Sequence, residues 1–229
     1  MADIRTAMAP VGDTLLPPDL REAFLARARN LKVRKSQIVI AEGADSTDVY
    51  LVRSGKLRIS LSAANGREIL LRDIGPGAVV GELAAIDGGL RSASVAALEE
   101  AVLACQRAED FIRFLGEVPQ AGLWMTRQLA ARVRDLTERT TELATLPIAG
   151  RVQRELLRLA AEAGGEGDQA IIRPMPTHAE IASRLGTHRE AVTRELNQLA
   201  QEGIVRQTGR QTEILSVAKL YALYARIRS

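Results

Sequence analysis

Two stretches of this 229-residue chain set charged and hydroxyl side chains at spacings suited to ligand chemistry. The first is Gly81-Glu82-Leu83-Ala84-Ala85-Ile86-Asp87-Gly88-Gly89-Leu90-Arg91-Ser92-Ala93. A glycine followed by free amides at the start of a short helix lets the backbone approach an anion, and an arginine ten residues on can return to neutralise it. Glu82 only accepts hydrogen bonds at neutral pH, so beside a phosphate it suits a group that donates hydroxyl protons, such as a ribose. A Gly-Glu pair alone would carry little; Arg91-Ser92 at this distance gives it content.

The second stretch repeats one local pattern, Thr177-His178-Ala179-Glu180 and Thr187-His188-Arg189-Glu190. Each reads as a capping box, in which hydroxyl and carboxylate satisfy the free amides of a helix start. With Gly186 before the second box, the spacing predicts a short helix, a tight turn and another helix. Ile181, Ala182, Leu185, Val192, Leu196 and Leu199 can fill the angle between them. Arg189, Glu190 and Arg194 then fall on one side of the second helix, within about 140° at ~100° per residue. An arginine there can pair with guanine O6 and N7, and a glutamate can accept from cytosine N4. Thr177 and Thr187, at the helix starts, suit phosphate or capping contacts, and His188 is counted with the DNA-binding residues. The blander reading, in which Glu190 only closes its box and the arginines only touch phosphate, is the less favoured one.

These stretches need elements to hold them. From Lys32 to about Cys105 the pattern is short and strand-like, with glycines at Gly43, Gly55, Gly66, Gly75, Gly77, Gly81, Gly88 and Gly89. Leu57, Ile59 and Leu61 alternate with polar residues, and Ala64-Asn65-Gly66-Arg67 reads as a hairpin turn. Strands so spaced predict a barrel or roll, preceded by a short helix, Pro18 to Ala28. No proline or glycine interrupts Leu123 to Leu143, and Leu129, Val133, Leu136, Thr140 and Leu143 follow the 4,3,4,3 spacing of a two-stranded coiled-coil seam. Pro147 ends that helix. Ile148 to Ala163 follows as an amphipathic helix, and Gly203 to Leu215 reads as two strands turning at Gly209. The expected architecture is α+β. Residues 1–107 form a β-roll with an N-terminal helix, 108–146 a dimerisation helix region, and 147–229 a winged helix-turn-helix domain.

The Gly81–Ala93 stretch resembles the phosphate-binding cassette of cyclic-nucleotide-binding domains, whose pattern is G-E-L-(A/G) followed by R-(S/A)-A. Glu180 to Arg194 resembles the DNA-reading motif of the same family, so over nearly its whole length the chain is similar to the CRP/FNR (cyclic-AMP receptor protein) regulators. The resemblance implies that Gly81 and Leu83 line the pocket, Glu82 takes the ribose 2′-hydroxyl, and Arg91 and Ser92 hold the cyclic phosphate. It sets Leu136 and Thr137 where a Thr-Ser pair meets adenine across the dimer. Leu136 departs from that pair, which leaves cyclic AMP favoured and cyclic GMP open. Arg132, one turn earlier, either reaches the pocket or is a solvated charge of the coiled coil. The resemblance also implies a homodimer, palindromic duplex operators with TGTGA-like half-sites, and RNA polymerase as a partner.

Composition narrows the alternatives. With 46% hydrophobic residues the chain can pack a core, and no apolar run reaches the ~18 residues a membrane span needs, which predicts a cytoplasmic protein without membrane contact. Cys105 is the single cysteine and reads as core; an iron–sulfur cluster or cysteine-held zinc is not expected. Both histidines, His178 and His188, lie in the helix-turn-helix, away from where a haem-sensing relative would need its axial ligand. The net charge of +3 resides in residues 147–229, with 12 Lys/Arg against 9 Asp/Glu. No paired-His metal motif, Gly-x-Ser-x-Gly elbow or phosphate loop supports an enzyme. Two alternatives stay open: a nucleotide-binding module serving another protein, and a regulator with a degenerate, ligand-free sensor.

Overall fold

In the computed structural model, residues 15–62, 68–164 and 167–228 are described; the expected turn at Ala64–Arg67 lies outside them. The chain divides into two compact units, one closing at Arg132 and the other starting at Val133.

The N-terminal unit begins with α1 (Pro18–Leu25), where Pro18 takes the first helical position, its missing N–H costing nothing there. The helix stops short of the expected Ala28 because Arg29 opens a strand paired with Cys105. The strands are β1 (Arg29–Val33), β2 (Ile38–Ile40), β3 (Val49–Ser54), β4 (Leu57–Ser62), β5 (Glu68–Ile74) and β6 (Val79–Val80). After α2 (Glu82–Asp87) come β7 (Ser94–Ala97) and β8 (Ala101–Gln106). They form two four-stranded sheets, ordered β1-β8-β3-β6 and β2-β7-β4-β5, with every pairing antiparallel. Val33, Ile40, Val52, Leu57, Ile59, Val95, Leu103 and Cys105 fill the space between the sheets, so Cys105 is a core residue. The expected alternation in β4 fails halfway. Ser60 is buried and Leu61 only half-buried, beside a bulge in the partner strand β5, where Leu71 is the extra residue opposite Ile59 and Ser60. Outside the first sheet, Phe24, Phe111 and Phe114 pack ring against ring and anchor α1 to α3 (Ala108–Glu117).

The long helix α4 (Pro119–Thr145) contributes its first half to this unit and its second half to the next. Trp124 and Met125 are buried in the N-terminal unit. Further along, Val133, Leu136 and Leu143 are 63%, 62% and 55% exposed. Among the described residues, no helix is long and apolar enough to cross a membrane.

The C-terminal unit adds α5 (Ile148–Glu162), β9 (Ala170–Ile172), α6 (His178–Arg184), α7 (Arg189–Gln201), β10 (Val205–Thr208), β11 (Gln211–Ile214) and α8 (Val217–Arg228). Val152, Leu156, Ile181, Val192, Leu196, Leu199, Ile214 and Leu220 make one core. The strands around Gly209 pair as expected, with Thr208 opposite Gln211, and β9 adds a third strand that the sequence pattern did not reveal. Arg154 on α5 pairs with Glu138 and Glu142, tying the second half of α4 to the helix-turn-helix core.

Candidate nucleotide and DNA sites

The cassette is built around a left-handed glycine. Gly81 has φ +90, and a Cβ there would lie 2.7 Å from the Asp48 carbonyl oxygen and 2.8 Å from Arg91 Nη1, so only glycine fits. Its carbonyl accepts from Arg91 Nη1 at 2.9 Å, while Arg91 Nη2 donates to the Asp48 carbonyl at 2.7 Å and Nε to Ser46 Oγ at 3.0 Å. The Arg91 backbone joins the same loop through its amide to Ala44 and its carbonyl from Gly43. Arg91 is 3% exposed. Burial lowers its pKa from the ordinary arginine value, opposed by the charges of Tyr50, Asp48 and Glu82.

Glu82 is 2% exposed. Its Oε1 accepts from Arg132, and its Oε2 is buried without a hydrogen-bond partner. A buried carboxyl oxygen without a donor is costly, so this atom can receive a hydroxyl. The structure therefore brings together Gly81, Glu82, Arg91 and Arg132, with Leu83 and Ser92 exposed alongside. Ser46 and Asp48, which hold Arg91, were missed by the sequence reading because they lie more than 40 residues from it. Leu136 and Thr137 lie on α4 in the C-terminal unit, where Thr137 Oγ1 donates to the Val133 carbonyl at 2.8 Å.

In the helix-turn-helix the first expected capping box is present. Glu180 N–H donates to Thr177 Oγ1 at 3.2 Å, and Thr177 N–H donates to Glu180 Oε2 at 2.8 Å. The second is absent, and that expectation is corrected. Helix α6 ends with Gly186 at φ +60, and the Thr187 N–H returns to the Ala182 carbonyl at 2.9 Å. This six-to-one bond is a Schellman closure. It draws Thr187 inward, 4% exposed, so α7 takes His188 as its N-cap with no side-chain cap bond. Thr187 does not stand at a helix start facing outward.

Arg189, Glu190 and Arg194 are exposed on one face of α7, as their spacing predicts. None of the three forms an ion pair among the described residues. Thr193, Asn197, Gln198 and Gln201 continue the same open hollow. Asn197 and Gln201 were legible by the same periodicity, at three and seven residues beyond Arg194.

A glycine-built cassette on an antiparallel roll, followed by a winged helix-turn-helix, defines a cyclic-nucleotide-binding domain joined to a DNA-binding domain. Residues 30–117 match the cyclic nucleotide-binding domain family and residues 150–223 the Crp-like helix-turn-helix domain family. The chain belongs to the CRP/FNR family of transcription regulators. It is 32% identical over 205 residues to the CRP-like cAMP-activated global transcriptional regulator of Mycobacterium tuberculosis, covering 89% of this chain and 91% of that one. It is 35% identical over 172 residues to the Cyclic AMP receptor protein of Thermus thermophilus, covering 75% and 77%. Among solved structures, a CooA variant from Carboxydothermus hydrogenoformans shares the fold, with a TM-score of 0.81 at 21% identity over 94% of this chain and 99% of that one.

Proposed function

We propose that this regulator is a homodimer switched by a cyclic nucleotide, cyclic AMP ahead of cyclic GMP, and that it binds palindromic promoter sites. The observation that carries the effector reading is the Glu82 Oε2 atom, buried and without a donor, beside a buried Arg91. Glu82 would take a ribose hydroxyl, Arg91 and Ser92 the cyclic phosphate, with Gly81 and Leu83 lining the pocket. Arg132 already engages Glu82 and would orient that carboxylate. Leu136 and Thr137 would meet the base from the dimer helix. Leu136 supplies no hydrogen bond, so discrimination between bases falls to Thr137.

The exposed Val133, Leu136 and Leu143 support pairing of α4 with a second copy. Arg189, Glu190 and Arg194 would read base edges, with Thr177 and His188 near the backbone. Helix α4 is continuous between the two units, so a ligand-induced change in its pairing can reach the DNA domains. The two named relatives, each described by its cyclic AMP response or binding, support the same effector. Fluorescence anisotropy of a palindromic duplex with TGTGA half-sites, measured with no ligand, cyclic AMP and cyclic GMP, tests the reading. Tighter binding with cyclic AMP is expected; equal binding in all three would contradict nucleotide control.

A further inference from the structure

The second face of the helix-turn-helix carries a residue that the DNA reading above leaves unused. We infer that His178 contacts the DNA backbone as an imidazolium, so that the domain takes up a proton when it binds a duplex.

The ring is locked across the motif. His178 Nδ1 lies 2.8 Å from Thr193 Oγ1, joining the first residue of α6 to the middle of the recognition helix. The Thr193 hydroxyl donates its only proton to the Arg189 carbonyl at 2.9 Å. With that bond made, Oγ1 accepts from Nδ1–H of the ring. In this arrangement Nε2 is the atom that gains or loses a proton.

In the free chain two effects favour the neutral ring. Burial lowers its pKa from 6.5, and the Arg189 charge on α7 lowers it further. On its own helix Glu180 is engaged by Thr177, and on α7 Glu195 is engaged by Gln153. Glu190 and Arg194 line the outer hollow. In a docked helix-turn-helix the first helix crosses the sugar-phosphate backbone while the second enters the major groove. A phosphate brought to α6 opposes both effects and accepts a charge-assisted bond from Nε2–H. The proton comes from solvent, so binding tightens as pH falls, by at most about tenfold per pH unit for one proton.

The inference rests on DNA binding by this domain but not on any operator or effector, since a phosphate contact is sequence-independent. The chain has two histidines, so His188→Gln isolates His178. In that variant, binding to a mixed-sequence duplex of about 30 base pairs is followed by anisotropy over about 50 to 200 mM salt. The plot of log affinity against log salt should be steeper near pH 5.5 than near pH 7.5, by up to about 0.9 for one added phosphate contact. Adding His178→Asn, whose side-chain amide stands where Nδ1 does and so retains a donor for Thr193, should make the two slopes equal. Calorimetry of the His188→Gln protein in buffers of different ionisation enthalpy should show proton uptake on binding, and this count decides the matter if the double variant does not fold. Equal slopes at both pH values, a pH-dependent slope retained in the double variant, or zero uptake would overturn the inference. Absence of duplex binding by the unsubstituted chain would instead overturn the DNA reading on which the inference rests.

Discussion

The nucleotide cassette and the recognition helix both rely on arginine, yet they hold it in opposite ways. Arg91 is 3% exposed and spends Nε, Nη1 and Nη2 on Ser46, Gly81 and Asp48 before any ligand arrives. Arg189 and Arg194 stand in solvent with no ion pair among the described residues. A buried charge held by carbonyls is part of the roll's structure, so ligand binding and stability must be coupled there. An exposed charge costs folding almost nothing and acquires its energetic role only when DNA removes water from it. On the proposed function the roll would act as a preorganised socket and α7 as the element that reads the duplex.

Substitution can break this contrast, and the largest effect is expected in the roll. Arg91→Ala should weaken cyclic nucleotide binding by roughly 3 to 5 kcal/mol, because a desolvated phosphate loses its counter-charge. The same change strands the Gly81 and Asp48 carbonyls, at about 1 to 3 kcal/mol for an unpaired buried group, so the melting temperature should drop too. Calorimetric titration and thermal melting measure the two losses. Wild-type affinity with a lowered melting point would make Arg91 structural only.

In the reading head the two losses should separate. Arg189→Ala should cost about 1 to 3 kcal/mol on a palindromic TGTGA duplex and relax the preference at one guanine. It should leave the melting temperature unchanged, and the binding comparison must hold salt fixed. Equal loss on the palindrome and on random duplex would assign Arg189 to the backbone alone.

The two helix starts sharpen the account at smaller scale. Thr177→Ala removes a cap that the structure shows and should lower stability by about 1 kcal/mol. His188→Ala removes an N-cap residue that makes no side-chain cap bond and should cost less. Denaturant unfolding of both variants orders them, and the reverse order would contradict the Schellman closure at Gly186. The smallest effect belongs to Thr137→Ala, at about 1 kcal/mol or less. It should reduce ligand-induced DNA affinity more than ligand binding itself. Proportional losses in separate titrations would remove Thr137 from the switch.

What could be seen in the sequence was whatever is encoded locally. Gly81, Glu82, Arg91 and Ser92 sit within one short run, α6 follows from its capping box, and α7 from periodicity at short range. Four features were hidden because they depend on partners far along the chain or on competition between neighbours. Arg91 is held by Ser46 and Asp48 from the loop after β2. The bulge opposite Ile59 and Ser60 lies in β5, at Leu71, and cannot be seen in β4 alone. Thr187 carries a capping signature, but the end of α6 claims it first, because its amide closes the preceding helix. Strand β9, three residues long, becomes a strand only by pairing with β11.

The central claim is that nucleotide and DNA sites are coupled, and reciprocity tests it most directly. The affinity for a palindromic TGTGA duplex is measured with and without saturating cyclic AMP, and the affinity for cyclic AMP with and without saturating duplex. Both ratios should equal the same factor, within the roughly 5- to 150-fold range of allosteric coupling. A factor of one in both directions, with each ligand still bound, would contradict the account.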